Sequence, residues 1–164
     1  MYRRISIQRE DFDLGAEWSS LRASLSGRVG AMAAFCGVVR DHARADTVSS
    51  LELEHYPGMT EKSIESVVDR AAARWPLDAV VVIHRIGTLA PGDQIVLVLA
   101  TSQHRQAALE SCTYMIDLLK TEAVFWKREV GNTGARWIES THTDQRRSEE
   151  WEVARPDASV SGED

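Results

Sequence analysis

The chain predicts a two-layer α+β fold, with strands on one side and two main helices packed over them. Two apolar runs lead to this reading: AVVVIHRI, from Ala79 to Ile86, and QIVLVLA, from Gln94 to Ala100. They read as adjacent central strands, in an order that pattern alone leaves open between parallel and antiparallel. Two stripes at helical spacing supply the second layer: Ile64, Val67, Val68, Ala71 and Trp75, then Ala108, Cys112, Met115 and Leu119. At 164 residues the chain suits one domain with a substantial core.

Taken in order, Ile5 to Ile7 reads as an edge strand. Glu17 to Leu25 follows as a short helix, with Trp18, Leu21 and Leu25 on one face. Gly27 and Gly30 bracket the entry to a largely buried strand, Ala31 to Val39, which delivers Arg40, Asp41 and His42 at its end. RADTVS then reads as a polar, mobile connection before Val48 to His55, where Leu51 and Leu53 share a face. Pro57-Gly58 marks a turn, Thr60 reads as a helix cap, and Pro76 stops the first apolar stripe.

Gly87 and the Pro91-Gly92-Asp93 turn separate the two central strands. Ser102 is expected to cap a helix that runs to about Lys120, with Leu109 and Ile116 supporting its buried stripe. Phe125 to Val130, the turn at Gly131-Asn132-Thr133-Gly134, and Arg136 to Glu139 read as a hairpin. Residues 1–142 are therefore expected to form a single domain. Residues 143–164 read as a polar tail, with Trp151 and Val153 as anchors and PDASVSGED disordered.

Composition narrows the functional classes. Nineteen Lys+Arg face 25 Asp+Glu, a formal charge of -6, which argues against nonspecific nucleic-acid or membrane binding. Basic residues are thus local placements on an acidic background. Cys36 and Cys112 lie in apolar segments and read as buried free thiols, with no CxxC and no zinc spacing. The start of the chain has no apolar signal segment and no run reaches transmembrane length, so a cytoplasmic location is expected. The glycines form neither a P-loop nor a dinucleotide fingerprint.

What remains is a set of cations. Arg40 follows one strand, His104 and Arg105 open a helix after another, and Lys120, Lys127 and Arg128 flank Phe125 and Trp126. Free N–H groups at the helix start, reinforced by His104 and Arg105, would favour an anion. His104 and Lys120 are roughly 24 Å apart along a helix axis, so a single pocket in one chain is awkward. Either the helix ends early or bends, or a symmetric dimer joins the two groups; the dimer is the favoured expectation. On an extended strand Arg128 points away from Lys127, toward Glu129 or Glu122 as partners.

Several ordered segments carry a resemblance: FCGVVRDH (35–42), LELEHYPGMTEK (51–62), HRIGTLAPGD (84–93), TSQHR (101–105) and MIDLLKTEAVFWKRE (115–129). In these the chain closely resembles the large, catalytic subunit of molybdopterin synthase, over nearly all of residues 1–142. The resemblance implies an α/β hammerhead-type fold with a mainly antiparallel sheet and a small additional subdomain. It implies a homodimer within a heterotetramer, each subunit docking a small ubiquitin-like sulfur carrier. The carrier's C-terminal Gly-Gly thiocarboxylate would donate sulfur to cyclic pyranopterin monophosphate (precursor Z). Two transfers would make the molybdopterin dithiolene and open the cyclic phosphate, with no metal or other cofactor required.

The family's roles carry over onto Lys120 and Lys127 as catalytic residues. Val38, Val39, Arg40, His104, Arg105, Lys120, Lys127, Arg128 and Glu129 become the substrate-binding set. One departure concerns W-I-E-S-T: Ser140 and Thr141 stand where many relatives carry arginine. That anion contact is then absent or supplied by His142, Arg146 or Arg147. A noncatalytic adaptor for a ubiquitin-like tail is the alternative reading, and a nucleotide or nucleic-acid module ranks below it.

Overall fold

The computed structural model describes residues 1–43 and 46–153. In chain order they form β1 (Tyr2–Gln8), α1 (Leu14–Leu25), β2 (Ala31–Val38), β3 (His42–Ala43), β4 (Asp46–His55) and α2 (Met59–Arg74). Then come β5 (Leu77–Arg85), β6 (Gly87–Leu89), β7 (Gln94–Ser102), α3 (Arg105–Glu122), β8 (Phe125–Gly131), β9 (Gly134–Trp137) and α4 (His142–Val153). The strands make two sheets. The first has the order β1-β5-β7-β2; the second runs β3-β4-β8-β9, with β6 also paired to β4.

The expected α+β class and mainly antiparallel pairing hold. The central strands β5 and β7 are antiparallel, Val82 opposite Val98, and only β1 joins in parallel. Their continuous apolar runs have a simple cause, since both faces of this sheet are covered. Val80, Val82, Val98 and Ala100 meet Ile64, Val67, Val68 and Ala71 of α2 and Ala108, Cys112 and Met115 of α3. Ala79, Val81, Ile83, Leu97 and Leu99 meet Leu21 and Leu25 of α1. The short first helix thus adds a layer of its own, capped at its start by the Asp13 carboxylate, which accepts the Ala16 N–H.

Local expectations shift in instructive ways. The strand from Ala31 is an edge strand, and Phe35 and Val38 are exposed rather than buried. Asp46 to Ser49 belong to β4, so at least that part of the presumed mobile connection is ordered strand; Arg44 and Ala45 lie outside the described residues. Leu109, expected to support the α3 stripe, is 61% exposed because it falls on the helix's solvent side. Gly58, not Thr60, precedes α2, and His104, not Ser102, precedes α3. Both hydroxyls have other partners: Ser102 donates to the Pro76 carbonyl and accepts the His104 N–H.

Thr60 is fully buried and does something more consequential. Its hydroxyl accepts the Tyr56 N–H at 2.9 Å and donates to the Val124 carbonyl at 2.6 Å, while Ser63 Oγ accepts the Val124 N–H at 3.2 Å. Both backbone groups of Val124 are therefore satisfied by side chains of α2. That pins the turn between α3 and β8, the two elements that carry Lys120 and Lys127.

Residues read as a polar tail form α4. Trp151 anchors it, packing edge-on against Trp75 and Tyr114 at 5.9 and 5.5 Å between ring centroids. Val153, the other expected anchor, is 87% exposed. The stretch 156–164, read as disordered, lies outside the described residues. Among the described residues no helix is long and apolar enough to cross a membrane.

Candidate active site

The second sheet has a thin core of its own: Val39, Leu51, Leu53 and Leu89, with Ile95 and Ile138 against it. Leu53 lies opposite Lys127 across the β4–β8 ladder, and Leu51 opposite Glu129. Strand alternation then turns Lys127 and Glu129 toward this core and Arg128 away from it. At Gly131 a Cβ would lie 2.6 Å from the Thr47 carbonyl oxygen, so only glycine lets β8 approach β4 there.

A cavity of about 720 Å³ opens between this sheet, the end of α3 and the start of α4. Val38, Val39 and Arg40 line it from the end of β2, Lys120 from the last turn of α3, and Lys127 and Glu129 from β8. Arg40 and Lys120 are exposed, whereas Lys127 is partly buried. Burial, and then the neighbouring Lys120 charge, lower the Lys127 pKa, with Asp144 acting the other way. Lys120 and Lys127 are thus electrostatic neighbours despite their different elements.

Three residues of the expected set stand elsewhere within this chain. His104 and Arg105 sit exposed at the opposite end of α3, because the helix runs unbroken to Glu122. Arg128 lies on the far face of β8, where its Nε donates to Glu52 Oε2 at 2.7 Å and its guanidinium lies over Trp137. Its partner is therefore Glu52, across the ladder, rather than Glu129 or Glu122. Glu129 lines the cavity while accepting from Arg136 at 2.6 Å.

The W-I-E-S-T departure also resolves geometrically. Ser140 and Thr141 line the cavity, whereas His142, Arg146 and Arg147 do not. Arg146 faces Glu150, and Arg147 approaches Asp117. Among the described residues, that wall of the cavity thus carries hydroxyls and no additional arginine.

Other lining residues escaped the sequence reading. Tyr56, Trp126 and Trp137 flank the cavity as an exposed aromatic row, with centroids 6.2 Å apart between Tyr56 and Trp126 and 5.6 Å between Trp126 and Trp137. Asp144 and Gln145 reach it from α4. A T-x-x-D pattern at Thr141 to Asp144, a helix-start signature, was the available signal.

Behind Lys127, His84 is buried and stacked on Phe125 at 3.9 Å. Its pKa is lowered to about 3, chiefly by burial and also by the Lys127 charge, against the opposing pull of the Nδ1–H hydrogen bond to the Arg85 carbonyl at 2.8 Å. It is a neutral backing residue for β8. The thiols are free; burial raises Cys36 and pushes Cys112 up to about 11, so neither is poised as a thiolate nucleophile. Among the described residues no group of three or more His, Cys, Asp or Glu side chains could hold a metal ion.

Comparison with known proteins gives a consistent result. The family described as MoaE protein matches residues 7–122. A molybdopterin synthase catalytic subunit of Ralstonia nicotianae is 48% identical over 157 residues, covering 96% of this chain and 89% of that protein. The protein of the same description from Escherichia coli is 47% identical over 148 residues, covering 90% and 97%. A solved structure, the molybdopterin biosynthesis MoaE protein of Burkholderia ambifaria, superposes with a TM-score of 0.78 at 46% identity, covering 94% of this chain and all of that one.

Proposed function

The chain belongs to the MoaE protein family and acts as a molybdopterin synthase catalytic subunit, and from that premise we propose that Arg40, Lys120 and Lys127 form its sulfur-transfer pocket. One observation carries the assignment: three cations from separate elements, the end of β2, the end of α3 and β8, line one cavity. Cations gathered against a thin apolar core on a net-negative chain are suited to a small anionic substrate.

The substrate class is cyclic pyranopterin monophosphate, and the donor is the C-terminal thiocarboxylate of a small ubiquitin-like carrier protein. Arg40 holds the phosphate through charge-assisted hydrogen bonds. Lys120 stabilises negative charge at the attacked centre. Lys127, with its proton affinity lowered by burial and by Lys120, orients the donor and exchanges a proton with the reacting groups. The carrier's Gly-Gly tail, lacking side chains, enters the cavity without clashes. Two such transfers yield the dithiolene and open the cyclic phosphate. Catalysis is alignment of two anionic partners, not attack by a protein thiol.

His104 and Arg105 enter this reading through a second copy of the chain. A symmetric pair would bring the α3 start of one subunit toward the cavity of the other, completing the phosphate site. A cytoplasmic compartment, which keeps Cys36 and Cys112 reduced, suits this chemistry.

The test is conversion of cyclic pyranopterin monophosphate by the purified chain with thiocarboxylated carrier. Formation of the dithiolene is expected. Tight carrier binding without any product would leave only an adaptor.

A further inference from the structure

We propose that Asp144 is a positioning residue for the reaction: one carboxylate, shared between the start of α4 and the end of α3, fixes where the Lys120 amine stands in the cavity. The proposal rests on the reading of the pocket given above. Thr141 and Asp144 cap α4 reciprocally. The Asp144 N–H donates to Thr141 Oγ1 at 3.2 Å, and the Thr141 N–H and hydroxyl donate to Asp144 Oδ2 at 3.1 and 2.7 Å. The cap occupies Oδ2, while Oδ1 lies 3.5 Å from Lys120 Nζ.

The two partners differ in freedom. The Asp144 side chain is 21% exposed and the Lys120 side chain 54%. An exposed lysine–carboxylate pair usually contributes little, because two flexible chains must be ordered together. Here the cap has already ordered the carboxylate, so the pair acts on where the amine sits rather than on stability.

The docking of α4 reinforces this. Trp151 Nε1 donates to Asp117 Oδ2 at 2.9 Å, and Thr121 Oγ1 donates to Ser148 Oγ at 3.3 Å. Asp117, Lys120 and Thr121 occupy one face of α3 at helical spacing. The contacts that hold α4 therefore flank the lysine whose amine Asp144 meets.

An acid in a cavity for anions needs such a duty, since its charge opposes substrate binding. Burial alone would raise the Asp144 pKa, but hydrogen bonds from Thr141 and the Lys120 charge hold it below the usual carboxylate range. Around the lysine pair stand Arg40 after β2, Glu129 on β8 turned to Arg136, and Glu139 after β9. His84 on β5 lies behind Lys127, and Asp117 and Arg147 face each other where α3 meets α4. Of the pocket carboxylates, Asp144 is the one whose charge opposes the lowering of Lys127.

Asp144→Asn keeps an oxygen for the Thr141 N–H and removes the charge. Turnover would be measured against pH with thiocarboxylated carrier for wild type, Asp144→Asn and Lys120→Ala, with near-ultraviolet circular dichroism reporting the Trp151 packing. The expected result is a kcat about tenfold lower, with KM little changed, consistent with a misplaced amine. The limb set by Lys127 moves to lower pH, and the Trp151 signal stays unchanged. Wild-type kcat and pH profile in Asp144→Asn would overturn the proposal. So would a loss of rate with no movement of the limb, which leaves a structural role only. A silent wild type, or an unaffected Lys120→Ala, sinks the reading of the pocket itself; an effect of Lys120→Ala alone sinks only the role of Asp144.

Discussion

In the first sheet, Val80, Val82, Val98 and Ala100 are covered by α2 and α3, and Val81, Ile83, Leu97 and Leu99 by α1. Among the described residues the second sheet has a small apolar cluster beneath it, Val39, Leu51, Leu53 and Leu89, and leaves Trp126 and Trp137 exposed. A sheet closed on both faces has no room for a substrate and no tolerance for charge. A sheet with one thin core can present lysine stems over apolar residues while their amines reach a cavity. Stability and chemistry are thus divided between the two sheets, and the α2 hydroxyls of Thr60 and Ser63 join them at Val124.

Substitutions on either side of that division should have opposite signatures. The largest effect is expected for Lys120→Ala: turnover falls by about 10²–10⁴-fold, as for loss of a charged catalytic group, with unfolding unchanged. Steady-state dithiolene formation and a denaturant melt on the same protein check both halves. Ile64→Ala in the first core should do the reverse, costing about 2–5 kcal/mol of stability because a fully buried side chain leaves a cavity. Its turnover per folded molecule stays near wild type; a large loss of rate at full folding would break the division.

A pH effect sits at the boundary. His84 is neutral when folded, with its pKa lowered to about 3 by burial, against an ordinary value of 6.5. The unfolded chain therefore binds the proton more readily. Stability from this group is fully present above about pH 6.5 and is lost as pH falls toward about 3. His84→Gln should flatten that part of a stability–pH curve. The smallest effect is expected for Arg128→Gln. Its pair with Glu52 is half-exposed, so after solvent screening about 0.5 kcal/mol or less is at stake, and turnover should hold. A severe catalytic loss there would mean the far face of β8 also meets substrate.

How much of this could be read from residues follows the same division. The buried stripes at Ile64, Val67, Val68 and Ala71 and the runs around Val82 and Val98 were legible because two-sided burial imposes a strong apolar pattern. Lys120 and Lys127 were also legible as candidates for one pocket, although the Val124 turn that sets their approach was not. Thr60 and Ser102 misled because a hydroxyl near a helix start has several possible partners. The α4 start was missed because its hydrophobic signal is a single tryptophan, Trp151, and its T-x-x-D cap sits among charges. The far position of His104 and Arg105 was already implied by helix length.

The most direct measurement is single-turnover sulfur transfer in a Lys127→Ala protein already loaded with thiocarboxylated carrier. The account predicts that the carrier stays bound with near-normal affinity while dithiolene formation is all but lost. Transfer at the wild-type rate from that complex would contradict it.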